Sequence, residues 1–138
     1  MSLDQNKAVV QRFVEQVQCQ HNLAAVDELF SSDMVDYSGL CNPPDREGAR
    51  QVFAMMFAAF PDLHVTIRQM IAEGDRVATH KTFHGTQRGP FMGIPPTGRE
   101  VTFDVIDIGT VRDGQMTEHW MVGDMLSVMQ QLTAVPAS

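Results

Sequence analysis

Residues 100–124 read EVTFDVIDIGTVRDGQMTEHWMVGD, and this stretch decides the fold class. Two runs with period-two apolar spacing flank Asp113-Gly114, a pair that strongly signals a tight antiparallel hairpin. A two-residue turn sets Arg112 opposite Gln115, Asp107 opposite Trp120, Val105 opposite Val122 and Phe103 opposite Asp124. Side chains alternate between faces along each strand. Val101, Phe103, Val105 and Asp107 then share one face with Glu118, Trp120, Val122 and Asp124. The other face carries Thr102, Asp104, Ile106, Ile108, His119 and Met121. It has enough apolar surface for a partner subunit, and it gives His119 an interface or solvent role. A bulge would invert these assignments beyond it.

Working outward, residues 88–99 are a loop rich in Gly and Pro. Before it, Leu63–Glu73 and Arg76–Gln87 read as strands joined at Gly74-Asp75. The same register logic puts Leu63, Val65, Ile67 and Ile71 on one face with Ala78, His80, Thr82 and His84. The first 60 residues read mainly as helices. Ala8, Val9, Phe13, Val14 and Val17 recur at helical spacing within residues 5–18. Asn22 opens a short helix with Leu23, Val26, Leu29 and Phe30 as its apolar stripe. A short strand over 33–37 and a breaker loop, Asn42 to Asp45, come next. A third helix runs from Asp45 to Phe60, with Val52, Phe53, Met56, Phe57 and Phe60 on one side, and Pro61 ends it. Met125, Leu126, Met129 and Leu132 predict a closing helical turn or short helix. Helices followed by an antiparallel meander make an α+β class, with helices packed on one face of a curved sheet. A length of 138 residues fits a single domain, 1–138.

The net charge of -7 supplies no basic footprint for nucleic acid. No apolar run is long enough for a membrane span. Met1 to Lys7 lacks the apolar core of a signal peptide, so the expected location is cytoplasmic. Cys19 and Cys41 have no paired spacing and no nearby ligand set, which points to reduced thiols and no metal site.

The chemistry rests on carboxylates. Asp107 and Asp124 fall on the apolar face, where a carboxylate is costly unless bonded or functional. Burial would raise its pKa toward the range that acid/base work needs. Four strand steps separate the two by roughly 13 Å, too far to share a proton. That argues against a two-carboxylate mechanism of the glycosidase kind. Asp124, at the strand-to-helix junction, is the candidate catalytic residue; its competing role is a helix N-cap. Trp120, Asp107, His84, His80, Tyr37, Phe57 and Phe103 are the candidate ligand-contacting residues.

The runs Phe91-Met92-Gly93-Ile94-Pro95-Pro96-Thr97-Gly98 and Arg112-Asp113-Gly114-Gln115-Met116-Thr117-Glu118-His119-Trp120 resemble SnoaL-like polyketide cyclases. Asp124, Gln130-Gln131-Leu132, Arg46-Glu47-Gly48 and Ala59-Phe60-Pro61-Asp62-Leu63 fit the same pattern. The resemblance spans about Lys7 to Leu132. It implies an NTF2-like cone, a curved antiparallel sheet around an apolar cavity lidded by the N-terminal helices. It also implies homodimers joined through the outer sheet face. Family cyclases close a ring by intramolecular aldol condensation without metal or cofactor, and their acid/base Asp matches Asp124. A polar residue often lines the family pocket near the place of Tyr37. The chain departs from the pattern at Thr110, where the characterised cyclases carry His, and at Gln87, where many members do. The function implied is a cofactor-independent cyclase or isomerase acting on a small apolar or carbonyl-containing ligand, with His84, His80 or Tyr37 steadying an enolate. The alternative is a non-catalytic small-molecule-binding or interaction domain.

Overall fold

The structure, a computed structural model, describes residues 1–133; residues 134–138 of the expected single-domain span lie outside the described residues. Helix α1, Leu3–Arg12, starts on a capping box in which Ser2 and Gln5 satisfy each other's backbone N–H. The chain continues as a π-helical stretch, Phe13–Cys19. Val9, Phe13, Val14 and Val17 are buried, as their spacing predicts, but Ala8 is exposed and Val10 takes its place in the buried stripe. A 3-10 turn, Leu23–Ala25, leads into the short helix α2, Val26–Leu29. Asn22 precedes the turn but makes no side-chain cap.

Strand β1, Phe30–Asp36, follows. Helix α3, Arg46–Ala59, is capped by the Asp45 carboxylate, which accepts from the Gly48 N–H at 2.9 Å. Gly48 has no alternative there, because a Cβ would stand 1.7 Å from the Pro43 carbonyl oxygen. That close approach ties the loop after β1 to the start of α3. Strands β2 (His64–Glu73), β3 (Arg76–Thr86), β4 (Glu100–Arg112) and β5 (Gln115–Gly123) complete the sheet, and α4, Met125–Thr133, closes the described chain.

The five-stranded sheet has the order β1-β5-β4-β3-β2. The three hairpin-type pairings are antiparallel as expected, but β1 runs parallel to β5 at the edge. The sheet is therefore mixed. Its helices and inner face form one core, with Phe13 against Phe30 at 5.1 Å between ring centroids.

Both turn-derived registers hold near the turn and then slip by one residue. In the last hairpin, Arg112 pairs with Gln115 and Val111 with Met116, but Thr110 pairs with Glu118. Thr117 is the extra residue, a bulge that inverts every face beyond it. Ile108 pairs with Trp120 and Asp107 with Met121, so His119 and Met121 face inward and Trp120 and Val122 outward. In the first hairpin Arg68 is the extra residue: Gln69 pairs with His80, yet Ile67 pairs with Lys81. Lys81 and Phe83 therefore join Val65 and Ile67 on the inner face, and His80 and His84 point outward.

Candidate active site

A cavity of about 180 Å³ lies between the inner sheet face and α3. Its walls are mainly aromatic and aliphatic: Phe30, Phe53, Phe57, Phe83, Phe103 and Val105 contribute. Polar groups gather on one side, where Asp36, Asp107 and His119 meet. An apolar pocket with a few convergent polar groups is the usual form of a small-molecule site.

Topology brings these three together. Asp36 ends β1, and its parallel register sets it directly beside His119 of β5. The Pro44 carbonyl accepts from the Asp36 N–H at 3.0 Å, and the His119 carbonyl accepts from the Tyr37 N–H at 2.7 Å. The edge strand is thus held on both sides. The imidazole of His119 lies between two carboxylates, with Nδ1 2.9 Å from Asp36 Oδ2 and Nε2 3.4 Å from Asp107 Oδ2. Asp36 Oδ1 accepts from the Ser38 N–H at 2.8 Å and from the Ser38 hydroxyl. Asp107 Oδ2 is also 2.6 Å from Lys81 Nζ, and Lys81 donates to Gln18 Oε1 at 3.0 Å. The Lys81 side chain is 0% exposed, that of Asp107 7% and that of His119 13%.

These contacts set the protonation states. Burial pushes the Asp107 carboxyl up, but the Lys81 ammonium and the His119 ring outweigh it and hold the group at about 2. Burial likewise raises Asp36, and its bonds from His119 and Ser38 bring it below the usual carboxylate value. For His119, burial disfavours the charged ring, yet the bonds and charges of Asp107 and Asp36 prevail and raise it to about 8. Both carboxylates are therefore anionic near neutral pH, and His119 is the group poised to gain or lose a proton there. Nearby Cys41 is pushed up to about 12 by burial and the charge of Asp36, so it stays a protonated, inert thiol. Neither cysteine is in a disulfide. Among the described residues, no group of three or more His, Cys, Asp and Glu side chains is arranged to hold a metal ion.

Of the residues singled out in the sequence, the structure brings Asp107, Phe57 and Phe103 to the cavity. The others lie elsewhere. Asp124 is exposed and caps α4, accepting from the Ser127 N–H at 3.1 Å. The Thr117 bulge and the end of β5 at Gly123 remove it from the apolar face. Trp120, also turned outward by that bulge, stacks on Tyr37 at 5.1 Å and lies under the Arg76 guanidinium. Tyr37 sits past the end of β1 and is mostly exposed. His80 bonds Asp104 at 3.0 Å on the outer face, and His84 stacks on His64 at 4.8 Å, both because of the Arg68 bulge. The outward placement expected of His119 is the matching correction: the ring points into the cavity.

Asp36, Lys81 and His119 were not among the sequence candidates. Lys81 had left a signal. Val77, Thr79, Lys81 and Phe83 alternate in a strongly apolar strand, and a lone cation in that row needs a buried carboxylate. Asp36 left none, since parallel pairing of two segments some 80 residues apart is not written in either segment.

The family model described as SnoaL-like polyketide cyclase matches residues 8–132. Solved structures agree. TsrD from Streptomyces laurentii is 25% identical, with a TM-score of 0.88 over 98% of this chain and 99% of its own. IdmH from Streptomyces antibioticus, described as a candidate polyketide cyclase, is 33% identical, with a TM-score of 0.82 over 93% of this chain and 98% of its own. AclR from Streptomyces galilaeus, described as a candidate hydroxylase, is 29% identical, with a TM-score of 0.85 over 98% of this chain and 100% of its own. No curated protein matches the sequence.

Proposed function

Because this chain belongs to the SnoaL-like polyketide cyclase family, we propose that its cavity binds a small carbonyl compound and that His119 moves a proton to and from carbon beside the carbonyl, without a cofactor. The observation that carries this reading is the His119 ring held between Asp36 and Asp107 in the wall of an apolar cavity. The closer contact, to Asp36, keeps the Nδ1–H of the neutral ring in place. Nε2, with the longer contact, is then the basic nitrogen. It takes the α-proton, and the electron pair of the C–H bond becomes the enolate. In a cyclisation, the enolate carbon bonds to a second carbonyl of the same molecule, and the imidazolium returns its proton to the new alkoxide. The two carboxylates favour the cationic ring formed in between, and Lys81 keeps Asp107 ionised. Asp124 takes no part in this scheme. The fold hosts more than one chemistry, so the site rather than the architecture carries the assignment.

The pH dependence tests the role of the ring. With the neutral ring as base, α-hydrogen exchange of 2-hexanone into D2O gains about tenfold in kcat/KM per pH unit below about 8 and levels off above it. A rate that is flat or falls across that range rejects His119 as the base.

We also propose that the outer sheet face joins two copies. Registry there sets Ile71 beside Ala78, Ala78 beside Ile108 and Ile108 beside Trp120, an apolar row across four strands. Ile106 and Val122 form a second exposed pair, with Val122 78% exposed. Contiguous apolar surface of this kind marks interaction sites. Val122→Glu shifts the sedimentation profile from dimer to monomer; a wild-type protein that sediments as a monomer refutes the pairing.

A further inference from the structure

The cavity opens through a rim made by three elements. Leu40 of the loop after β1, Met55 of α3 and Met92 of the loop between β3 and β4 all line it while staying about half exposed. The rim is built rather than loose. Gln87, fully buried, spends its whole amide on the 88–99 loop. Its Nε2 donates to the carbonyls of Gly89 at 3.2 Å and Ile94 at 3.0 Å. Its Oε1 accepts from the N–H of Thr97 at 3.1 Å and the hydroxyl of Thr97 at 2.7 Å. Gly89 sits so close to α3 that a Cβ would stand 2.6 Å from the Ala58 carbonyl oxygen. Between these anchors the chain reverses through Met92 and Gly93, at φ of 48° and 78°. Phe91 goes down against Phe60 at 5.1 Å, and Met92 is left facing solvent at the opening.

Volume gives this rim a role. About 180 Å³ is below the ~300 Å³ at which pockets begin to enclose drug-sized molecules. The geometry points to a two-part ligand: a carbonyl-bearing end enclosed beside His119, and an extended apolar portion that leaves the cavity and lies on Leu40, Met55 and Met92. This rests on the cavity being the ligand site. Methionine suits such a surface, since its unbranched, polarisable chain adapts to the shape laid on it. The substrate class is then carbonyl compounds with an apolar extension, with the rim discriminating by length.

The test compares 2-hexanone with 2-decanone, with binding read from the ring-proton NMR shifts of His119, so that only occupancy of the cavity counts. Each methylene half-covered by the rim adds about twofold in affinity, so 2-decanone binds about tenfold or more tighter. The rim variant combines Met55→Gln, which keeps helix propensity, with Met92→Asn, since Asn tolerates positive φ. In it the advantage of 2-decanone over 2-hexanone disappears. Equal affinities in the wild type, or an advantage that survives in the variant, overturn the rim. If neither ketone moves the His119 signals, the cavity itself is not the ligand site, and the inference goes with it.

Discussion

His119→Gln lowers α-hydrogen exchange of a bound ketone by at least about 100-fold, the lower end of what a positioned base contributes. Glutamine still offers the Asp36 carboxylate an amide donor, but it has no group that titrates near neutrality. The loss therefore appears in the chemical step, with ketone affinity largely kept. Asp124→Asn is the paired control. Asn caps a helix nearly as well as Asp, so α4 keeps its bond to the Ser127 N–H and exchange is unchanged. The two variants separate the cavity histidine from the exposed carboxylate. If Asp124→Asn removes activity and His119→Gln does not, proton transfer belongs to Asp124 and the scheme is wrong. Unfolding curves for both variants show whether a loss of rate is instead a loss of fold.

Lys81→Met is expected to be the most destabilising single change, at about 3–5 kcal/mol, because it strips a buried carboxylate of its ammonium partner. Lys81 Nζ lies 2.6 Å from Asp107 Oδ2 and is wholly excluded from solvent. Without it, Asp107 keeps only the longer contact to His119 and pays for its burial. A domain of this size has about 5–15 kcal/mol to lose, so the variant sits near the edge of folding. The double variant Lys81→Met, Asp107→Leu recovers much of the loss, since neither charge then remains buried. Urea midpoints at constant slope measure both. A double variant no more stable than Lys81→Met alone would mean that the lysine acts through its stem and its contacts to the Phe13 and Phe83 rings, not through the ion pair.

The hairpins were legible because a turn is a local object. The turns need only Asp113, Gly114 and Gly74 to adopt positive φ, and both pairings next to them are as read. The ends of β4 were legible for the same reason, as was the Asp45 cap of α3. Face assignments were not, because a strand face depends on counting by twos, and one unpaired residue reverses the count. Thr117 and Arg68 each did so. Neither carries a bulge signature such as a glycine at positive φ, and their bulges follow from how the sheet curves and packs. Those two residues account for the exchange of Trp120 for His119 and of His80 and His84 for Lys81 as inward-facing groups.

From the chain alone come the α+β class, the family, most of the helix stripes, the turns and a cavity-facing row on β4 that includes Phe103 and Asp107. All of these follow from short-range periodicity, turn chemistry or motif resemblance. Only the tertiary structure could choose which polar residues meet. Asp36, Lys81, Asp107 and His119 come from four strands, and their meeting depends on a parallel edge pairing and two bulges. Those are decided by the free energy of closing one core around one cavity. No segment of the sequence contains that energy by itself.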